Sequence, residues 1–177
     1  MTLDYFLLCG VFLIIYLRYL SPLIIRYVLK NPMAQKPTKA YHKAACWDVY
    51  AVEDVTIPPD QWREISLGIS FAPWPQIYLP KLNFTLTPFG NVAYKIHTRS
   101  GLAIKKGQRA HLGIIDGDYR ETLSVIMFNH NSYPVRYKPG NKIAQLEFFR
   151  VPTVIFWGGS KLSNSKRGIN GHGSSGN

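Results

Sequence analysis

The chain has 177 residues, room for one domain of ordinary size with a sizeable core plus extensions. Its two cysteines, Cys9 and Cys46, exclude a disulfide framework and stand in no metal-ligand spacing, so a reducing compartment fits best. A formal charge of +11 suggests an anionic partner (nucleic acid, a phosphorylated metabolite or a membrane surface), but the basic residues are scattered and point to no specific nucleic acid.

From Tyr5 to Leu17 the chain is apolar; after Arg18 a second apolar stretch runs to Leu29. As one helix, Tyr5–Leu29 would reach about 37 Å, more than the roughly 30 Å of a hydrocarbon core. Arg18 would cost about 2.5–3.5 kcal/mol at the centre unless its side chain snorkels, and Pro22 would kink or divide the helix. Residues 1–30 therefore read foremost as a membrane anchor. A packed or interfacial helix pair is the first alternative, and a cleaved signal peptide the second. Arg26, Lys30, Lys36 and Lys39 follow the segment, so the positive-inside rule places the domain beyond it in the cytoplasm. If residues 5–29 do not span, the expectation is a soluble cytoplasmic protein.

Residues 31–40 read as a linker with two prolines and no periodicity. From Tyr41 the signals become short β-like segments: Trp47–Val52, Glu64–Phe71, Val92–Ile96, His111–Ile115, Leu123–Phe128 and Ile143–Val151. Turns fall at Pro58-Pro59-Asp60, Pro88-Phe89-Gly90, Lys105-Lys106-Gly107 and Lys138-Pro139-Gly140. Many short strands with such turns predict an all-β sandwich or barrel over residues 41–157. Asp116-Gly117-Asp118 lies between two apolar runs and predicts a hairpin with Tyr119 directly after its turn. A carboxylate on a rigid tip can hold a water for attack, and an aromatic beside it can floor a pocket. An ordinary hairpin is the plainer reading of the turn alone. Residues 158–177 are rich in Gly, Ser and Asn, as in a flexible arm, yet carry Arg167 among glycines and hydroxyls suited to phosphate oxygens.

Five clusters stand in order: Ala45-Cys-Trp-Asp-Val-Tyr-Ala51; Thr98-Arg-Ser-Gly-Leu-Ala103; Gly113-Ile-Ile-Asp-Gly-Asp-Tyr-Arg120; Gly140-Asn-Lys-Ile-Ala-Gln-Leu146; and Arg167-Gly-Ile-Asn-Gly-His-Gly-Ser-Ser-Gly176. In this order they resemble the five motifs of the trimeric dUTP diphosphatases (dUTPases), over roughly Tyr41 to Gly176. The resemblance implies a jelly-roll-like β fold and a homotrimer whose three sites lie at subunit junctions, with the last motif on a swapped C-terminal arm. It also implies Mg²⁺-dependent hydrolysis of dUTP to dUMP and pyrophosphate.

By the same resemblance, Asp116 orients and activates the attacking water, and Gln145 stands near the α-phosphate and that water. Arg99, Ser100 and Gly101 hold phosphate, with Ser100 near the α–β bridge where leaving-group charge develops. Tyr119 packs beneath the deoxyribose, and the backbone from Gly113 pairs with the uracil edge. Arg167 takes the γ-phosphate, Gly173 and Ser174 add contacts, and His172 sits where the family usually stacks phenylalanine on the base. Asp48 reaches Mg²⁺ through water, as suits a small hard cation that keeps several waters.

Departures from the family pattern are Cys46 and Asn170 for glycines, Thr98 for the proline before Arg99, Glu121 for the glycine after Tyr-Arg, and a longer segment from Ala72 to Asn91. Two other readings compete: a dUTPase-derived interaction protein that binds regulatory partners without catalysis, and a relative of the dCTP deaminases, whose deaminating glutamate has no clear counterpart here.

Overall fold

The computed structural model describes residues 2–16, 21–74, 77–82, 84–86, 91–111, 113–161 and 163–165. The chain opens with the helix α1 (Thr2–Ile15), followed by strands β1 (Ile25–Leu29), β2 (Trp47–Tyr50), β3 (Val55–Ile57), β4 (Trp62–Ser66), β5 (Ile69–Pro73) and β6 (Ile77–Leu79). A 3₁₀ turn at Pro80–Leu82 leads into β7 (Phe84–Leu86) and β8 (Asn91–His97). Then come the helix α2 (Ser100–Lys106) and strands β9 (Gln108–Ala110), β10 (Ile114–Asp116), β11 (Ser124–Asn129), β12 (Val135–Tyr137) and β13 (Lys142–Val151). The mostly β architecture expected from the short apolar segments is present.

Among the described residues the largest sheet has the order β10-β8-β13-β2, and a second runs β4-β11-β9. The pairs β1-β5, β12-β3 and β6-β7 complete the set. All the pairings are antiparallel. Alternation decides which side chains turn inward: Val125, Met127 and Asn129 of β11 are buried while Ser124, Ile126 and Phe128 between them are half-buried. One apolar core results, including Val49, Ile57, Ile65, Ile69, Tyr94, Val125, Ile143 and Leu146. Phe71, Tyr94 and Phe148 meet edge to face inside it, with centroids 5.3–5.7 Å apart.

Three expectations are corrected. The first is the membrane-spanning helix over Tyr5–Leu29: α1 stops at Ile15, and Ile25–Leu29 is a strand paired with Ile69–Pro73. Pro22 cannot continue a helix, and Ile25, Tyr27 and Val28 beyond it are β-formers that find a free edge on β5. The ladder is extended by Lys30 N–H to Gly68 O and Trp74 N–H to Ile24 O, while Arg150 clamps buried Ser21 through its carbonyl at 2.6 Å. Fourteen residues of α1 reach about 21 Å, short of a hydrocarbon core. No helix among the described residues is long and apolar enough to cross a membrane.

The second correction concerns the predicted hairpin. The turn at Asp116–Tyr119 forms, with Tyr119 N–H on Asp116 O at 3.1 Å, but its flanking strands do not pair with each other. Strand β10 joins β8, whereas β11 joins β4 and β9, so the turn links two sheets. The apolar runs on either side of Asp-Gly-Asp each met a better partner than the other. The third is the continuous strand Glu64–Phe71, which breaks at Leu67-Gly68 into β4 and β5. Gly68 has φ +62°, and a Cβ there would sit 2.8 Å from Asn31 Cβ. The segment from Ala72 to Asn91, longer than the family pattern, contains the β6–β7 pair; its Pro88-Phe89-Gly90 turn lies outside the described residues.

A chain beginning at Ser21 should melt within a few degrees of the full chain by circular dichroism. Removal through Lys30 strips β1 and exposes the β5 edge, losing about 2–3 kcal/mol from Leu23 and Ile25 and lowering Tm by about 5–10 °C. Equal melting of both truncations would remove β1 from the stabilising structure.

Candidate active site

The two inner strands of the largest sheet carry the candidate site. β8 and β13 run in register from Gln145↔His97 to Val151↔Asn91. Asp48 of β2 stands opposite Gln145, so the first and fourth clusters meet side by side. Arg99 arrives from the loop after β8, held extended at φ −70° and ψ 128° just before α2 begins.

Asp48 is the hub. Its side chain is 1% exposed, and its Oδ1 accepts from Arg99 Nε at 3.2 Å and Gln145 Nε2 at 3.0 Å. Oδ2 accepts from Lys142 Nζ at 2.8 Å. Arg99 also donates to the Lys142 carbonyl at 3.2 Å, which braces the guanidinium from a second side. Burial alone would raise the Asp48 carboxyl, but hydrogen bonds from Lys142 and Gln145 and the charge of Arg99 outweigh it and hold the group below its usual value. The same contact holds the Lys142 ammonium above its ordinary value. Lys142 sits within the fourth cluster, yet no role was expected of it. The available signal was a buried acid needing more than one cation.

Asp116 and Tyr119 lie elsewhere. They line a cavity of about 370 Å³ with Gly113, Ile96, His111 and Glu64. Glu64 accepts a hydrogen bond from Ser124 at its wall. His111 and Glu64 were not expected in the site; they reach it because β9 and β4 flank β11. The turn is rigid: Arg120 donates to Gly117 O at 2.8 Å and to Tyr119 O at 3.0 Å. Gly117 presses on β8 so closely that a Cβ would lie 2.1 Å from Val92 O. Gly113 O accepts Ile96 N–H at 3.0 Å, so that carbonyl is already engaged.

The register gives the separation. Asp116 stands opposite Ala93 and Gln145 opposite His97, four residues or about 13 Å along β8. Strands β10 and β13 flank β8 on opposite sides, about 10 Å apart, so the Asp116 and Gln145 backbones are about 16 Å from each other. One chain thus brings Asp48, Arg99 and Gln145 together and keeps Asp116 and Tyr119 apart from them. Ser100 and Gly101 open α2 at the surface beside Arg99. Arg167, His172, Gly173 and Ser174, and the departure Asn170, lie outside the described residues.

Among the described residues no group of three His, Cys, Asp or Glu converges. Asp48, expected to reach Mg²⁺ through water, is committed to two cations and an amide, with almost no exposed surface. Of the departures, Thr98 is explained: its hydroxyl accepts Ala110 N–H at 3.0 Å and donates to Ala110 O at 3.1 Å, tying the end of β8 to β9 as a proline could not.

A carboxyl held low in the folded state stabilises the fold above its unfolded value of 3.8, and that contribution is lost as pH falls through the folded value. Replacing Lys142 by Met removes one of the groups holding Asp48 down. Acid unfolding of Lys142→Met, followed by circular dichroism, should begin at higher pH than that of the unaltered chain. Superimposed curves would mean that Lys142 does not stabilise the carboxylate. Gly117→Ala should lower Tm and displace Asp116, since the clash is with backbone; an unchanged Tm would show that the turn has slack.

The family model for dUTPase matches residues 33–176. The deoxyuridine 5'-triphosphate nucleotidohydrolase of Saccharomyces cerevisiae is 32% identical over 161 residues, covering 89% of this chain and 97% of that protein. The variola virus protein of the same name is 33% identical over 152 residues, covering 86% and 92%. Among solved structures, the Staphylococcus bacteriophage 80alpha dUTPase with dUPNHPP shares the fold at a TM-score of 0.72 and 20% identity, covering 86% of this chain and 98% of that one. With the family model spanning most of its length and these relatives matched nearly end to end, the chain belongs to the dUTPase family.

Proposed function

We propose that this chain hydrolyses dUTP to dUMP and pyrophosphate in sites assembled between copies of itself, as a homotrimer. The observation that carries the reading is the split described above: Arg99 with Asp48 and Gln145 in one place, and Asp116 with Tyr119 about 16 Å away. A gap of about 16 Å between the two groups of one chain favours a site shared between copies. In a closed rotational assembly the Asp116 edge of one copy meets the Arg99 edge of the next, and each junction repeats the same pairing.

In this mechanism Asp116 takes a proton from the water whose oxygen attacks the α-phosphorus. The bond from that phosphorus to the α–β bridging oxygen breaks, and pyrophosphate leaves with the electron pair. Gln145 orients the water, while Arg99, Ser100 and Gly101 bind the charge that develops on the leaving group. Tyr119 supports the sugar, and the stiff backbone from Gly113 selects uracil over thymine by leaving no space for a methyl group. Arg167, Gly173 and Ser174 hold the distal phosphates from the C-terminal arm, and His172 stacks on the base. Asp48 serves as the anchor that fixes Arg99 and Gln145, rather than as the partner of a metal. Mg²⁺ would arrive with the triphosphate and offset its charge.

Asp116→Asn should bind a nonhydrolysable dUTP analogue with near-unchanged affinity and lose about 10²–10⁴ of turnover, read as pyrophosphate release. Near-normal hydrolysis would remove Asp116 from the mechanism. Loss of activity on dUTP together with activity on another nucleoside triphosphate would overturn the substrate.

A further inference from the structure

Helix α1 takes no part in the proposed chemistry, and its described side chains stand largely in solvent. Leu8 is 55% exposed, Phe12 63% and Leu13 57%. Val11, Ile15 and Tyr16 are about half exposed. A Cβ added at Gly10 would meet nothing within 4 Å, so the helix stands clear of the rest of the chain at that turn. The apolar surface also runs round the helix. Leu8 and Phe12 share one face, while Leu13 lies about 140° round from Leu8 at roughly 100° per residue. No charged residue interrupts Tyr5–Leu17. A helix that packs at a water-facing surface keeps one polar side, and one that is apolar all round is stable only where no side meets water. Length narrows the surroundings further. At about 21 Å, α1 is short of a hydrocarbon core of roughly 30 Å but longer than one leaflet of about 15 Å, which fits a tilted insertion from one side.

The chain beside α1 has the composition of a membrane–water boundary. Between Asp4 and Asp48 stand six basic residues and no acidic one: Arg18, Arg26, Lys30, Lys36, Lys39 and Lys43. Alternation along β1 and its flanks puts Ile24, Arg26, Val28 and Lys30 on one exposed face, apolar and basic in turn. Trp74, 54% exposed, stands beside Ile24 and donates its backbone N–H to Ile24 O at 2.9 Å. Tryptophan settles at headgroup depth, and Lys and Arg beside it meet anionic headgroups.

We infer that α1 inserts into one leaflet of an anionic lipid surface, with Trp74, Ile24 and Val28 at the boundary and Arg26 and Lys30 on the headgroups. Ser21 is held by Arg150 and β1 by β5, so the domain stays on the side from which the helix enters. A second copy is the other surface able to cover α1. Helices from neighbouring copies would still turn their outer sides to water, and the basic residues beside them would repel one another. The attachment is independent of the proposed chemistry, since α1 and β1 hold none of the candidate site residues.

The test floats the full chain on sucrose gradients with vesicles of phosphatidylcholine alone, or of phosphatidylcholine and phosphatidylserine in equal parts. The chain should rise with both and bind the anionic vesicles at least about tenfold more tightly. Phe12→Asp should weaken binding to both at least about tenfold. The double variant Arg26→Glu, Lys30→Glu should abolish the preference for the anionic vesicles. These positions are exposed, so Tm and pyrophosphate release should stay close to those of the unaltered chain. No flotation, undiminished binding by Phe12→Asp, or equal binding of the unaltered chain to both vesicles would overturn the inference. Depth is read at exposed Cys9, labelled with nitrobenzoxadiazole in a Cys46→Ser chain. Lipids spin-labelled on the acyl chain should quench it; quenching by headgroup-labelled lipids alone contradicts insertion. Sedimentation without vesicles decides the competing surface: if Phe12→Asp breaks an assembly that the unaltered chain forms, α1 is covered by another copy and the lipid reading falls.

Discussion

The ladder between β8 and β13 is the constraint on which the site depends. It pairs seven residues on each strand without a slip, from Gln145↔His97 to Val151↔Asn91. Shifting that register by one residue would turn every buried side chain of one strand outward, so Tyr94, Ile96 and Leu146 lock it from inside the core. Once it is locked, the outer strands follow. β2 lies on β13 and brings Asp48 to Gln145, while β10 lies on β8 and places Asp116 opposite Ala93. Asp48 and Gln145 therefore sit toward one end of the sheet, and Asp116 stands about 16 Å from Gln145 toward the other.

Burying Asp48 is the costly element, and the surrounding charges show how it is tolerated. A lone buried carboxylate would protonate or unfold its neighbourhood. Here Lys142, Arg99 and Gln145 meet both oxygens, so the carboxylate stays charged and in turn holds Arg99 in place. A long guanidinium fixed at its Nε by Asp48 and at one terminal nitrogen by the Lys142 carbonyl keeps little freedom of its own. The rigidity of the Asp116 turn comes from Gly117 seated against Val92 O and from Arg120 folded back on the turn carbonyls. Both halves are preorganised by different means, one by charge and the other by close backbone contact.

Much of this was legible in the sequence where the signal was local. Alternating apolar residues marked β8, β11 and β13, and glycines marked the turns at Gly107 and Gly140, both at positive φ. The order of the five clusters carried the family. What failed were features decided by partners distant in the chain. Ile25–Leu29 is apolar enough for a helix or a strand, and only the free edge of β5 chose between them. The Asp116 turn was visible, but the competition of β4 and β9 for β11 was not. Nothing local marks Lys142 within its cluster, because its partner Asp48 lies 94 positions away. Strands of three residues such as Val55–Ile57 and Val135–Tyr137 are too short to show a period at all.

Under the proposed shared site, one copy gives Asp116 and another gives Arg99. The most direct measurement mixes two inactive full-length variants, Asp116→Asn and Arg99→Gln, after dissociating and reassembling them together. Random assembly should pair an intact Asp116 with an intact Arg99 at about a quarter of the junctions, restoring about a quarter of the unaltered rate of pyrophosphate release. If every site lies within one chain, each site keeps one defect and the mixture stays as inactive as its parts.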